Sequence, residues 1–223
     1  MEEQTQYTGM QSLNKTLAQT FLWMFLGLAS TGIVAAFTYY TGAIVNLMEG
    51  WTVIVIAQLV IAVLFGLCFH KLSTGMTTLL FFAYSMLTGV TFSVIFAVFE
   101  LTSIAYALFA TAGLFGVLAF IGYTTNKDLS KFGTILFATL IVALILTIVN
   151  IFIGSEGLDL ILDWAILLIF AGLTVYDMNK IKYMSENYGI DQEKVAIYGA
   201  FQLYLDFINM FLRILEIFGK RRN

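Results

Sequence analysis

The chain has 223 residues, of which 60% are apolar and 11% charged, with a net charge of −3. A soluble globular domain carries about 25% charged residues, so a water-soluble fold is excluded, and so small a net charge gives no case for nucleic acid as a partner. Helical spans of about 20 residues each leave room for roughly six to eight membrane crossings and no second folded domain.

The first sixteen residues are polar, with Glu2, Glu3 and Lys15. The apolar run that follows is too long for the roughly 7–15-residue core of a cleaved signal peptide and reads as an uncleaved first span. Seven apolar segments follow one another, at about 17–40, 51–69, 76–99, 104–123, 132–153, 160–180 and 195–218. None alternates as a barrel strand would, so all are read as helices. The expected fold is an all-α membrane protein, a bundle of seven transmembrane helices. Residues 1–16 form an N-terminal tail, 17–219 one transmembrane domain, and 220–223 a basic C-terminal tail. Small residues four apart, Ser85/Gly89 and Ala112/Gly116, suit close helix contacts. The aromatics read mostly as lipid-facing filler. Cys68 is the single cysteine, so no intramolecular disulfide forms, and no proline kinks a span.

Orientation follows from the bases. Lys15, Lys71, Lys127, Lys131, Lys180, Lys182 and Lys194 fall on one side, and the first, third and fifth loops contain none. Positive-inside bias then makes the N-terminus cytoplasmic in a multi-pass protein of the cell membrane. Lys220, Arg221 and Arg222 stand against seven full crossings, and either a complete last span or a re-entrant one satisfies part of the pattern. A full crossing is the expectation, because the apolar length suffices.

The last span carries Gln202, Asp206, Asn209, Arg213 and Glu216 at spacings of four, three, four and three. At about 100° per residue they fall within roughly 80° of arc, forming one polar stripe. A carboxylate near the middle of a membrane helix costs at least ~2.5–3.5 kcal/mol, so such a residue normally faces protein or water and marks an ion or proton path. The stripe therefore predicts a helix that lines an ion path, with Gln202, Asn209, Arg213 and Glu216 as supporting polar residues. Alternatively, Asp206 is a packed carboxylate paired with Arg213 or a neighbouring helix. Asp177 lies near the cytoplasmic end of the sixth span, where Lys180 is an alternative partner on its own face. Asp159 and Asp163 lie at the start of that span, where the helix dipole favours carboxylates, and with Glu100 they make a base-free outer surface. His70 and Lys71 read as positive-inside anchors or as a charge latch on an inner carboxylate. A lone histidine gives no zinc cluster.

The stretches VYDMNKIK (175–182) and LYLDFINMF (203–211), with KDLSKFG (127–133) and SMLTGVTF (85–92), resemble the transmembrane Bax inhibitor motif family over nearly the whole chain. The compact loops are more similar to a bacterial member than to an animal one. The resemblance implies seven helices with the last one central, a pH-sensitive calcium leak, and a sensor formed by an aspartate pair. That pair carries over to Asp177 and Asp206, which would also be the two carboxylates of a weak calcium site. In place of an arginine cluster after the second span the chain has His70 and Lys71, and lysine is a poorer bidentate partner for carboxylates. Calcium wants oxygen ligands, and two carboxylates with the Asn209 and Gln202 amides supply a few, suiting passage rather than storage. Two carboxylates sharing one buried site do not both ionise easily, so protons and calcium compete for them.

No enzyme activity is expected and no cofactor, with calcium as the ion transported, by a leak or by slow exchange for protons, and the lipid bilayer as the surroundings. An aspartyl protease would need a glycine-containing approach to its second aspartate and a proline motif, and Leu203, Tyr204 and Leu205 precede Asp206. A retinal receptor would need a lysine deep in the last span, which has only Arg213. The competing expectation is a non-transporting regulator that binds other membrane proteins, the aspartates serving as a structural lock.

Overall fold

The computed structural model describes residues 2–47, 50–186 and 191–222, with side chains described from residue 13 except that of Asn46. The elements are α1 (Glu2–Tyr40), α2 (Ala43–Leu47), α3 (Trp51–Cys68), α4 (Thr74–Val98), α5 (Leu101–Thr124), α6 (Ser130–Ile153), α7 (Glu156–Glu186) and α8 (Gln192–Phe218). A 3₁₀ turn at Phe69–Lys71 follows α3. Among the described residues, seven helices are long and apolar enough to cross a membrane, and they coincide with the seven expected spans. Many of their large apolar side chains point outward, with Phe109 74% and Phe152 86% exposed, as lipid rather than water as solvent allows.

Local chemistry sets the helix ends. The Ser73 hydroxyl accepts from the Met76 N–H (3.3 Å) and caps α4. Gly154, at φ 69°, ends α6 in the left-handed region where a side chain is disfavoured. The Asn150 amide donates to the Ser155 carbonyl (3.0 Å) and the Asp159 carboxylate (2.5 Å), which fixes the turn into α7. At the N-terminus the helix extends further than expected, since α1 begins at Glu2 within the stretch read as a tail. Polar composition stops the membrane span there, and it does not stop the helix.

The chain divides into two compact units, one of residues 1–99, 183–204 and 222–223, the other of residues 100–182 and 205–221. In the first, α1 packs along α4 and α3 joins them. Gly89 allows the approach, because a Cβ there would stand 2.7 Å from the Thr31 carbonyl oxygen. Thr31 also takes a hydrogen bond with the Tyr204 hydroxyl (2.7 Å) and donates to the Ser85 carbonyl (2.9 Å). Aromatic rings fill the interior of this unit, against the expectation of lipid-facing filler. Phe65 stacks on Phe201 at 3.9 Å, and Phe81 meets Tyr204 edge-on at 5.7 Å. Aromatic pairs favour such geometries when buried, and apolar composition alone does not say which ring faces lipid.

In the second unit, α5 and α6 close on α7. A Cβ at Gly122 would stand 2.5 Å from the Val175 carbonyl oxygen, and one at Gly133 would stand 2.5 Å from the Tyr176 ring. The expected contact at Ala112/Gly116 does not form, since both are exposed and Gly116 has open space around it. The buried face of α5 is instead Ala107, Thr111, Phe115, Ala119 and Gly122. Small residues occur on two faces of this helix, so spacing alone did not select the packed one.

The last helix is the most enclosed of the seven apolar helices, with 78% of its most apolar stretch buried against 11–39% for the others. Its start hydrogen-bonds the start of α4, where the Thr74 hydroxyl donates to Asp191 (2.7 Å). Its end bonds the end of α4, where the Arg222 N–H donates to the Val98 carbonyl (2.8 Å). Asp191 and Arg222, on either side of the last helix, thus bond opposite ends of α4 within the first unit. The bases beyond it find partners, Lys220 with Glu100 at 2.9 Å and Arg221 with Glu216 at 3.6 Å.

Candidate functional site

Asp177 on α7 and Asp206 on α8 belong to the same unit, and both are buried, at 3% and 2% exposure. They stand close enough for the charge of one to act on the other. The Thr174 hydroxyl, one turn before Asp177, lies between the Phe170 carbonyl (2.9 Å) and Asp206. Among the described residues the second oxygen of Asp206 has no hydrogen-bond partner. A buried carboxylate oxygen without a donor is costly, and such atoms mark sites for a proton, a water or an ion.

The Asp177 segment is held from several sides. Gly122 and Gly133 admit its backbone and the preceding Tyr176 ring. The Asn179 amide donates to the Thr125 carbonyl at 2.8 Å. Lys182 donates to the Tyr123 carbonyl (3.2 Å) and the Asn126 side chain (2.8 Å), and the Lys180 ammonium stands 5.8 Å from the centre of the Tyr176 ring. On α8, the ring of Phe207, next to Asp206, packs edge-on against Phe115 at 5.6 Å.

The other stripe residues separate by environment. Asn209 donates to the Leu205 carbonyl of its own helix at 2.8 Å. Gln202 is half-buried in the first unit. Glu216 is exposed and pairs with Arg221. Arg213 pairs with Asp163 of α7 through one nitrogen of its fork, and neither is fully buried. Asp163 is thus an ion-pair partner and not a solvated helix start. Sequence reasoning left this pair unassigned. The signal was present, because Arg213 is the only base within the last span and Asp163 sits near the corresponding end of α7. His70 and Lys71 are exposed on the 3₁₀ turn of the first unit, and the His70 carbonyl accepts from Lys194 at 3.2 Å. Among the described residues no three His, Cys, Asp or Glu side chains gather as a metal site.

Outside the spans, two carboxyls are held below their ordinary values. The Ser130 hydroxyl and N–H do this for Asp128 at the start of α6. The Thr74 hydroxyl does it for Asp191, against a small opposing cost of burial. Both remain ionised throughout the physiological range.

Comparison with known proteins agrees with this architecture. A family model described as "Inhibitor of apoptosis-promoting Bax1" matches residues 13–223. The chain is 41% identical over 218 residues to "Inner membrane protein YbhL" of Escherichia coli strain K12, covering 94% of this chain and 93% of that protein. It is 36% identical over 219 residues to an uncharacterised protein of Borreliella burgdorferi, covering 94% of each. It is 34% identical over 218 residues to an uncharacterised protein of Rickettsia prowazekii, covering 96% of this chain and 92% of that one. With seven apolar helices and a match over nearly its whole length, the chain is a multi-pass membrane protein that belongs to the Bax inhibitor-1 family.

Proposed function

We propose that the protein is a pH-sensitive calcium leak of the cell membrane, non-enzymatic, with its N-terminus in the cytoplasm and its last helix central. Asp177 and Asp206 form the gate. The observation that carries this reading is the burial of the two carboxylates beside one another on α7 and α8, with an oxygen of Asp206 lacking a donor among the described residues. Two adjacent buried carboxylates do not both carry charge without compensation. A shared proton compensates them and ties α7 to α8 through a short, strong hydrogen bond. When the proton leaves, the charges repel or take up a calcium ion, which prefers oxygen ligands. With two carboxylates, and Asn209 as a further oxygen ligand along the helix, the site is weak and passes ions rather than storing them. Arg213 and Glu216 continue the polar lining.

Calcium flux in proteoliposomes tests the reading. Wild type carries calcium at a rate set by pH, and substitution of Asp206 removes that dependence. A non-transporting regulator that binds other membrane proteins would give no flux above empty vesicles at any pH.

A further inference from the structure

The second unit carries another intramembrane charge pair besides the dyad. Arg213 lies seven residues after Asp206, about two turns or 10 Å further along the same face of α8. Its partner Asp163 lies fourteen residues before Asp177, which returns it to within about 40° of the same face of α7. The two helices that hold the dyad therefore also hold the pair, on the same faces, toward the C-terminal end of α8.

The pair is not built as a stability element. Its side chains are 25% and 16% exposed, so the protein does not fully enclose them. One guanidinium nitrogen meets one carboxylate oxygen, and the buried Nε of Arg213 has no hydrogen-bond partner among the described residues. A strong arginine–carboxylate contact uses the fork bidentately and satisfies every buried donor. The bases that follow α8 in the second unit, Lys220 and Arg221, are exposed and pair with Glu100 and Glu216. Arg213 is thus the cation placed within the span, beyond the dyad.

We propose that the Arg213–Asp163 pair is a charge barrier to cations entering or leaving the dyad, with Arg213 raising the barrier and Asp163 lowering it. This rests on the calcium-leak reading above and adds a rate-setting element to it. A fixed positive charge in a narrow, partly desolvated path repels a divalent ion, and a carboxylate beside it offsets that repulsion.

The sign of the effect separates a barrier from a clasp. Calcium flux is measured in proteoliposomes holding wild type, R213Q, D163N and R213Q/D163N, each checked for monodisperse folding. A barrier predicts several-fold faster flux in R213Q, several-fold slower flux in D163N, and an intermediate rate in the double variant. A clasp that only ties α7 to α8 moves both single variants in the same direction, which would overturn the proposal, as would two unchanged rates. Should either single variant fail to fold, R213K and D163E carry the test. Both keep the charges and are expected to keep the wild-type rate, and a several-fold change in either contradicts the barrier. A wild type that carries no calcium removes the leak reading itself and this inference with it, whereas a conducting wild type with the wrong signs removes only the inference.

Discussion

Asp206 of α8 stands beside Asp177 of α7, both almost fully withdrawn from the surface, with the Thr174 hydroxyl reaching the same carboxylate. This places two acidic groups where neither lipid nor bulk water compensates their charge. Gly122, Gly133 and Asn179 hold the α7 side of this arrangement.

The approach of α5 to α7 is expected to be essential to the dyad. A methyl group at Gly122 would stand 2.5 Å from the Val175 carbonyl oxygen and 2.8 Å from the Met178 Cβ, and backbone cannot give way as a side chain can. Gly122→Ala should therefore push α7 outward at the residues flanking Asp177 and destabilise the protein by about 1–3 kcal/mol, as overpacking does. Gly116→Ala, on the exposed side of the same helix with open space around it, should cost little. Thermal unfolding in detergent checks both, and equal melting temperatures for the two variants would count against the packing described.

The pH response is expected to come from within the spans and not from the connecting segments. Asp191 is held below its ordinary value by the Thr74 hydroxyl. Its folded value lies below the unfolded one, so the contact stabilises the chain above the ordinary carboxylate value of about 4. That stabilisation is lost only as pH falls through the lower folded value. Asp191→Asn should leave the pH profile of calcium flux unchanged between about pH 5 and 8, where the unperturbed carboxylate is already ionised. A profile displaced by this substitution would place a sensor at the α7–α8 connection.

Topology gives a third test. The segment before α8 bonds one end of α4 and the residues after it bond the other, so Asp191 and Arg222 are expected on opposite faces of the membrane. In a Cys68→Ser background, Asp191→Cys should react with an impermeant thiol reagent from the cytoplasmic side and Arg222→Cys from the outside. Labelling of both from one side would contradict a full crossing, and the reverse assignment would place the N-terminus outside.

The seven spans were legible in the sequence because lipid demands long apolar runs and no proline interrupts them. The prominence of Asp206 was legible for the same reason, since a carboxylate inside such a run is conspicuous. Side-chain pairing was less so. Arg213 has a long, flexible side chain, and α7 offers Asp159, Asp163 and Asp177 as partners, so only the folded helices select Asp163. Ala112/Gly116 and Gly122 look alike as small residues on α5, yet only Gly122 meets another helix. The aromatic interior of the first unit was equally hidden, since Phe65 and Phe201 come from distant segments and a phenylalanine suits lipid and protein interior alike. The helical start at Glu2 was missed because polarity marks the edge of a membrane span and carries little information about helix formation.

The measurement that bears most directly on the dyad is calcium flux against pH in proteoliposomes holding wild type, Asp206→Asn and Asp177→Asn. Asparagine is nearly isosteric with aspartate and still hydrogen-bonds, so the fold should survive both changes. Wild type should conduct at a rate that varies with pH, Asp206→Asn should conduct with that variation gone, and Asp177→Asn should shift it. If both variants carry calcium with the wild-type pH profile, the two aspartates are not the gate.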